Sequence, residues 1–199
     1  MTGLPWDASY RNGPAPWDIS GPQPAVARLA KAGAFEGAVL DAGCGTGENA
    51  LYVARHAGPG VSVVGVDVAE TALEQARAKA AERGLDAEFT FADAFALERL
   101  ERSFRTVLDC GLFHTFTARE RLGYVASLAR VTANGGILYV LCFSDEGSVT
   151  GPHPVSRVEF AEAFGAHSGW EITALEAARV QANFLEDGAP GWLARIRRS

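Results

Sequence analysis

The stretch Val39-Leu40-Asp41-Ala42-Gly43-Cys44-Gly45-Thr46-Gly47-Glu48-Asn49 decides the fold. A short apolar run ends in an aspartate, three glycines follow at alternate positions, and a helix-like stretch opens at Glu48. This reads as a strand, a tight loop and a helix. Glycine suits a chain that must turn sharply and let a ligand lie against bare backbone. The spacing narrows the ligand. The dinucleotide fingerprint is GxGxxG, with a pyrophosphate at the helix N-terminus. Here the pattern is GxGxG, followed by Glu48. A carboxylate at that place repels a pyrophosphate and suits a ligand without phosphate that carries a positive centre.

Working outward, Val61-Ser62-Val63-Val64-Gly65-Val66-Asp67 is a second β-branched run ending in an acid, and Asp67 lies 20 residues beyond Gly47. An acid at a strand tip about 20 residues after such a loop accepts hydrogen bonds from ribose hydroxyls. The loop, its strand, its helix and the ribose acid together are more specific than the glycines alone. A nucleoside with a positive centre and no phosphate is S-adenosylmethionine (SAM).

From about residue 23 onward the chain resembles the class I SAM-dependent methyltransferases. Residues 39–47 resemble that family's first motif and 63–67 its second. Phe91-Ala92-Asp93-Ala94 resembles the third, Val107-Leu108-Asp109-Cys110-Gly111 the fourth, and residues 134–140 the turn into the fifth strand. The resemblance implies SAM as cofactor and S-adenosylhomocysteine as its product. It implies an α/β, Rossmann-like fold: a seven-stranded, mostly parallel sheet with an antiparallel edge strand and helices on both faces. By the family match, Asp93 faces the adenine amino group, with Ala94 and Phe95 flanking the ring. Asp109 or the backbone at Cys110 faces the methionine end.

Composition sets the outer limits. The chain has 199 residues, 48% hydrophobic and 21% charged, as in an ordinary globular protein with one core-bearing domain. Its net charge is −6, and only Arg195-Ile196-Arg197-Arg198 is locally basic, which disfavours a nucleic-acid partner. Cys44, Cys110 and Cys142 have no metal spacing and read as reduced, packed thiols of a cytoplasmic protein. The N-terminus lacks a signal-peptide pattern, and the apolar run 136–143 is too short to span a membrane. No metal site and no membrane contact are expected, and the assembly is a monomer or a homodimer.

Strand and helix signals alternate after residue 23. Helices are predicted over 25–31, 48–56, 70–83, 118–131 and 157–164. Strands are predicted over 38–41, 61–66, 88–91, 104–109, 136–143, 170–178 and 192–197. Thr117-Ala118-Arg119-Glu120 and Ser156-Arg157-Val158-Glu159 are capping boxes, and Gly84 and Asn134-Gly135-Gly136 are stop signals. Alternation implies a parallel sheet covered on both faces. The last two strands, with no helix between them, suit an antiparallel hairpin at one edge.

Residues 1–24 differ in texture from the domain at 25–199. They carry Pro-Trp-Asp twice, at 5–7 and 16–18. Two tryptophans and a tyrosine argue against a disordered tail. The segment reads as a lid over the ligand edge of the sheet, where water must be excluded.

Single residues then take expected roles. Gly43, Gly45 and Gly47 form the cofactor floor, and Asp67, with Val68 beside it, holds the ribose. Asp41 either binds the methionine amino group or caps a loop. Trp17 packs on the sulfonium by cation–π attraction. His114, in Gly111-Leu112-Phe113-His114-Thr115-Phe116, either takes or orients the acceptor's proton, or caps local backbone. Trp6, Tyr10, Phe113, Phe116, His114 and His153 belong to the substrate pocket, with core packing the alternative for Phe113 and Phe116 and plain lid packing the alternative for Trp6.

Absences narrow the chemistry. No Asn/Asp-Pro-Pro-Tyr/Phe run of DNA amino-methyltransferases follows the fourth strand, and no second Asp/Asn pair is spaced for magnesium. The segments 6–19 and 109–145 resemble small bacterial thiopurine, thiol, halide and tellurite methyltransferases. That resemblance implies a small acceptor with a thiol, hydroxyl or heterocyclic nucleophile, methylated by in-line displacement. Rival readings are a non-catalytic SAM-binding protein, a protein- or RNA-modifying methyltransferase, and an NAD-dependent Rossmann oxidoreductase; the last requires GxGxxG and a hydride site.

Overall fold

A computed structural model describes residues 4–11, 13–146, 153–165 and 167–199. Among these residues the strands are β1 (Ala38–Ala42), β2 (Ser62–Asp67), β3 (Glu88–Phe91), β4 (Phe104–Cys110), β5 (Thr132–Phe143), β6 (Trp170–Ala182) and β7 (Leu185–Arg198). They form one sheet in the order β3-β2-β1-β4-β5-β7-β6. β1 to β5 pair in parallel, and β7 runs antiparallel to both β5 and β6. The strand of opposite direction therefore lies one place in from the edge, and β6 is outermost. The hairpin joining β6 to β7 folds the chain back so that β7 fills the slot beside β5.

The helices are α1 (Leu4–Arg11), α2 (Pro24–Lys31), α3 (Glu48–His56), α4 (Glu70–Arg83), α5 (Ala118–Val131) and α6 (Arg157–Ala163). Strand residues alternate between two cores, as the period of two in a strand dictates. Leu40, Val107, Leu138 and Val140 pack with α5 and α6 on one face. Val39, Leu108 and Tyr139 pack with α2, α3 and α4 on the other. Both capping boxes form: Thr117 and Glu120 start α5, and Ser156 and Glu159 start α6.

Two features depart from the sequence reading. α1 is a helix inside the Pro- and Trp-rich N-terminal segment. Its Pro5 sits in the first turn, where a missing amide costs little. Asp7 on this helix accepts the Thr71 amide at the start of α4 at 2.8 Å. β6 and β7 are also longer than expected, because Ala189-Pro190-Gly191 and Leu185 pair with β6 across an irregularity at residues 187–188 instead of looping out. Gly188 has φ +68, and a Cβ on Gly191 would lie 2.6 Å from the Cys142 carbonyl oxygen. These glycines let an irregular, proline-bearing strand stay in the sheet.

Candidate functional site

The site forms at the C-terminal ends of β1, β2 and β4, where parallel sheets place ligands. The amides of Gly43 and Cys44 both donate to the Val66 carbonyl, at 2.8 and 2.9 Å. The glycine loop is thereby folded across the end of β2. Asp67 fastens it: one carboxylate oxygen accepts the Gly45 amide at 2.9 Å and the other the Ala69 amide at 2.9 Å. Burial raises the Asp67 pKa, while these amides pull it back. Asp67 thus has two backbone partners before any ligand is considered. Each oxygen still has a second lone pair, so Asp67 can accept hydroxyls as well.

A cavity of about 370 Å³ opens above this floor. Gly43, Gly45, Asp67, Val68, Asp93, Ala94 and Cys110 lie on its wall, and so do Trp6, Tyr10, Trp17 and His114. Gly45, with φ +52, admits the Tyr10 hydroxyl to 3.0 Å of the place a Cβ would take. The N-terminal segment reaches the cavity through specific bonds. Trp17 Nε1 donates to the Tyr10 hydroxyl at 2.8 Å, and the Trp6 and Trp17 rings meet edge-on at 5.8 Å. Thr46 on the glycine loop donates to Asp18 at 2.6 Å. The Gln23 side chain donates to the Gln181 carbonyl and accepts its amide, both at 2.9 Å.

Six expected site residues lie off the cavity wall. Gly47 caps α3 with φ +84, and a Cβ there would lie 2.8 Å from the Phe89 ring, so its glycine serves packing. Phe95 is turned into the core, its ring 4.9 Å from Phe116. Phe113 is fully buried and stacks on Phe160 at 5.3 Å. Phe116, three residues on, lines the cavity instead. His153 is exposed with φ +44, and it offers its carbonyl to Arg121. Asp93 stays on the wall with Ala94, and it also caps the 3-10 turn Ala94–Leu100 through the Phe95 amide at 2.9 Å.

Asp41 and Asp109, the other two, lie fully buried beneath the wall on neighbouring strands. One Asp109 oxygen accepts the Leu112 and Phe113 amides, each at 3.1 Å, and so shapes the turn after β4. Its other oxygen lies beside the Tyr124 hydroxyl, and the Asp41 carboxyl lies beside the Ala50 amide. Burial, with each ionised neighbour adding repulsion at Asp41, pushes the Asp41 carboxyl up to about 7. A carboxyl with a raised folded pKa stabilises the fold fully below its ordinary value near 3.8, and this contribution is lost as pH rises towards 7. Without ligand, the melting temperature of the wild type should therefore fall relative to Asp41→Asn between about pH 4 and pH 7. The gap should then stay constant. Thermal melts of both proteins across pH 4–8 check this; a gap independent of pH contradicts it.

His114 lies on the cavity wall. Its Nδ1 accepts the Phe143 amide at 3.2 Å, which puts the ring proton on Nε2. Burial, with the nearby Arg121 charge, lowers its pKa to about 3. The ring is a neutral hydrogen-bond donor at any ordinary pH. Burial likewise pushes up all three cysteine thiols, Cys110 on the wall included. Glu48 is paired with Arg83 through two bonds of 2.8 Å and with Lys79 at 3.0 Å. Its charge is matched within the protein, so the repulsion argued from sequence is weaker than a bare carboxylate implies.

Several wall residues have no sequence signal. Thr46 with Asp18, and Gln23 with Gln181, are polar pairs distant in the chain. Phe143 and Phe184 look like any strand and turn aromatics. Among the described residues no His, Cys, Asp or Glu cluster is arranged for a metal ion, and no helix is long and apolar enough to cross a membrane.

The donor set fits SAM. Glycine backbone opens the floor, and the Asp67 oxygens keep lone pairs that can accept from a diol. Comparison with known proteins agrees. Residues 39–136 match the methyltransferase domain family. The 2-heptyl-1-hydroxyquinolin-4(1H)-one methyltransferase of Mycobacteroides abscessus is 38% identical over 87% of this chain and 78% of its own length. A probable thiol methyltransferase 2 of Arabidopsis thaliana is 33% identical over 78% of this chain and 69% of its own. A solved structure from work on the conversion of a disulfide bond into a thioacetal group during echinomycin biosynthesis superposes with a TM-score of 0.86. It is 35% identical and covers all of this chain and 92% of its own. The chain belongs to the class I SAM-dependent methyltransferases.

Proposed function

We propose that this enzyme methylates a small aromatic acceptor on an acidic hydroxyl group, of the 1-hydroxyquinolin-4-one type. The observation that carries the reading is the chemistry of the acceptor end. Leu112, Thr115, Phe116 and Phe143 give it an apolar wall, and the polar ring among them, His114, donates through Nε2. A wall with a donor and no base selects an acceptor that ionises by itself. His114 then holds the acceptor's oxyanion, and the apolar wall and the lid keep water away. SAM bound beneath supplies an electrophilic methyl group on a sulfonium. Asp67 holds the ribose, Asp93 and Ala94 take the adenine, Trp17 covers the sulfonium side, and residues 1–24 act as a lid on the domain at 25–199. The enzyme works in the cytoplasm as a monomer or homodimer, without nucleic-acid or membrane partners. Similarity to the quinolone methyltransferase favours oxygen. Similarity to the thiol methyltransferase and to the echinomycin-pathway structure supports a second reading, an ionised thiol.

The test is mass spectrometry of reactions with SAM and either 2-heptyl-1-hydroxyquinolin-4(1H)-one or an aryl thiol. The expected product is the methoxy compound. Across acceptors of graded acidity, the midpoint of the rate–pH curve should move with the acceptor. A midpoint fixed whatever the acceptor would reveal a base on the enzyme, and methylation of the thiol alone would replace oxygen by sulfur.

A further inference from the structure

Phe184 is 64% exposed at the tip of the β6–β7 hairpin, and Trp17 is 44% exposed in the lid. Both nevertheless line the cavity. The other large exposed apolar side chains of the described residues, Phe91, Leu122 and Val158, do not. The two aromatics flank one hydrogen-bonded junction. The Asn183 amide donates to the Pro16 carbonyl at 2.8 Å, and the Asn183 side chain donates to the carbonyls of Asp18 at 2.8 Å and Ala15 at 3.2 Å. Asn183 thus fixes the hairpin tip to the lid where the cavity opens. Hairpin tips ordinarily carry polar residues, and an exposed phenylalanine on a ligand cavity marks an apolar contact still to be made. Val180 and Ala182, buried on the same wall, continue the apolar track inward.

We propose that Trp17 and Phe184 grip an apolar tail of the acceptor where it leaves the cavity at the lid–hairpin junction, and that Phe184 sets a preference for acceptors with an alkyl chain of several carbons. The proposal rests on the acceptor reading above. The chain would run past Val180 and Ala182 and out against the two rings, while the hydroxyl stays at His114. A methylene fully removed from water tightens binding about fourfold, so one half-covered at an open mouth tightens it about twofold.

The test is calorimetric titration of S-adenosylhomocysteine-saturated enzyme with 1-hydroxyquinolin-4-ones carrying 2-methyl, 2-propyl or 2-heptyl groups. It compares wild type, Phe184→Ser and Phe184→Leu, with S-adenosylhomocysteine affinity reporting an intact fold. The wild type should bind the heptyl compound about 60-fold more tightly than the methyl compound, from six half-covered methylenes. Phe184→Ser should flatten most of that dependence, and Phe184→Leu should keep most of it. The same dependence in wild type and Phe184→Ser would overturn the proposal and leave the acceptor reading standing. Binding of S-adenosylhomocysteine with neither binding nor methylation of any quinolone would overturn both.

Discussion

Replacing Arg121 by alanine should lower the stability of the fold by about 3–4 kcal/mol, read as a shift in the chemical-denaturation midpoint at constant slope. Arg121 is only 2% exposed, yet it lies between α5, α6 and the turn after β4. Its guanidinium donates to Glu159 at 2.7 Å, to the His153 carbonyl at 2.8 Å and to the Phe113 carbonyl at 3.3 Å. It also lies 5.1 Å from the centre of the Phe113 ring. Truncation removes the donor from two carbonyls and leaves a void where a long side chain was packed. Glu159 is 32% exposed and can turn to water, so the ion pair is the smaller part of the loss. Glu159→Gln should accordingly cost about 1 kcal/mol, for it keeps a hydrogen bond to Arg121. A loss under about 1 kcal/mol for Arg121→Ala would show that these elements are held by the aromatic stack of Phe113, Phe160 and Phe164 alone.

The second large effect falls on the cofactor. Asp67→Ala should weaken S-adenosylhomocysteine binding by about 1.5–3 kcal/mol, roughly tenfold to more than a hundredfold, the range for hydrogen bonds to a charged group. Two causes add. The variant loses the acceptor for the ribose, and it releases the Gly45 and Ala69 amides that Asp67 ties together. Asp67→Asn separates them. Asparagine keeps one acceptor oxygen, so it can hold one of the two amides but not both. Its binding loss should fall between wild type and alanine. Equal affinity of wild type and Asp67→Ala would remove Asp67 from the cofactor site.

The central part of this molecule was legible because local chemistry there agrees with the tertiary structure. α3, α4 and α5 begin and end at the residues that the glycine loop, the Gly84 stop and the Thr117–Glu120 box indicate. Harder to read were features whose cause lies far away in the chain. α1 is short and its sequence resembles a loop; the Thr71 amide on another helix holds it. The last hairpin contains Pro190 and three glycines within or beside it, yet the bonds to β5 and β6 keep it extended. At the site, identity and spacing marked Gly43, Gly45 and Asp67, but they did not show which way a side chain faces. Phe113 and Phe116 are equally apolar in sequence; both are buried in the core, and Phe116 alone also forms part of the cavity wall. His114 in that loop could be read as a base or as a backbone contact, and its identity did not show that its Nδ1 accepts the Phe143 amide.

As a class I methyltransferase this chain takes S-adenosylmethionine and not a dinucleotide. Calorimetric titration of the purified protein with S-adenosylhomocysteine, beside an identical titration with NADH, tests it most directly. Saturable one-to-one binding of S-adenosylhomocysteine, weakened in Asp67→Ala, with no heat from NADH, is the predicted result. Saturable NADH binding, with none for S-adenosylhomocysteine, would contradict it.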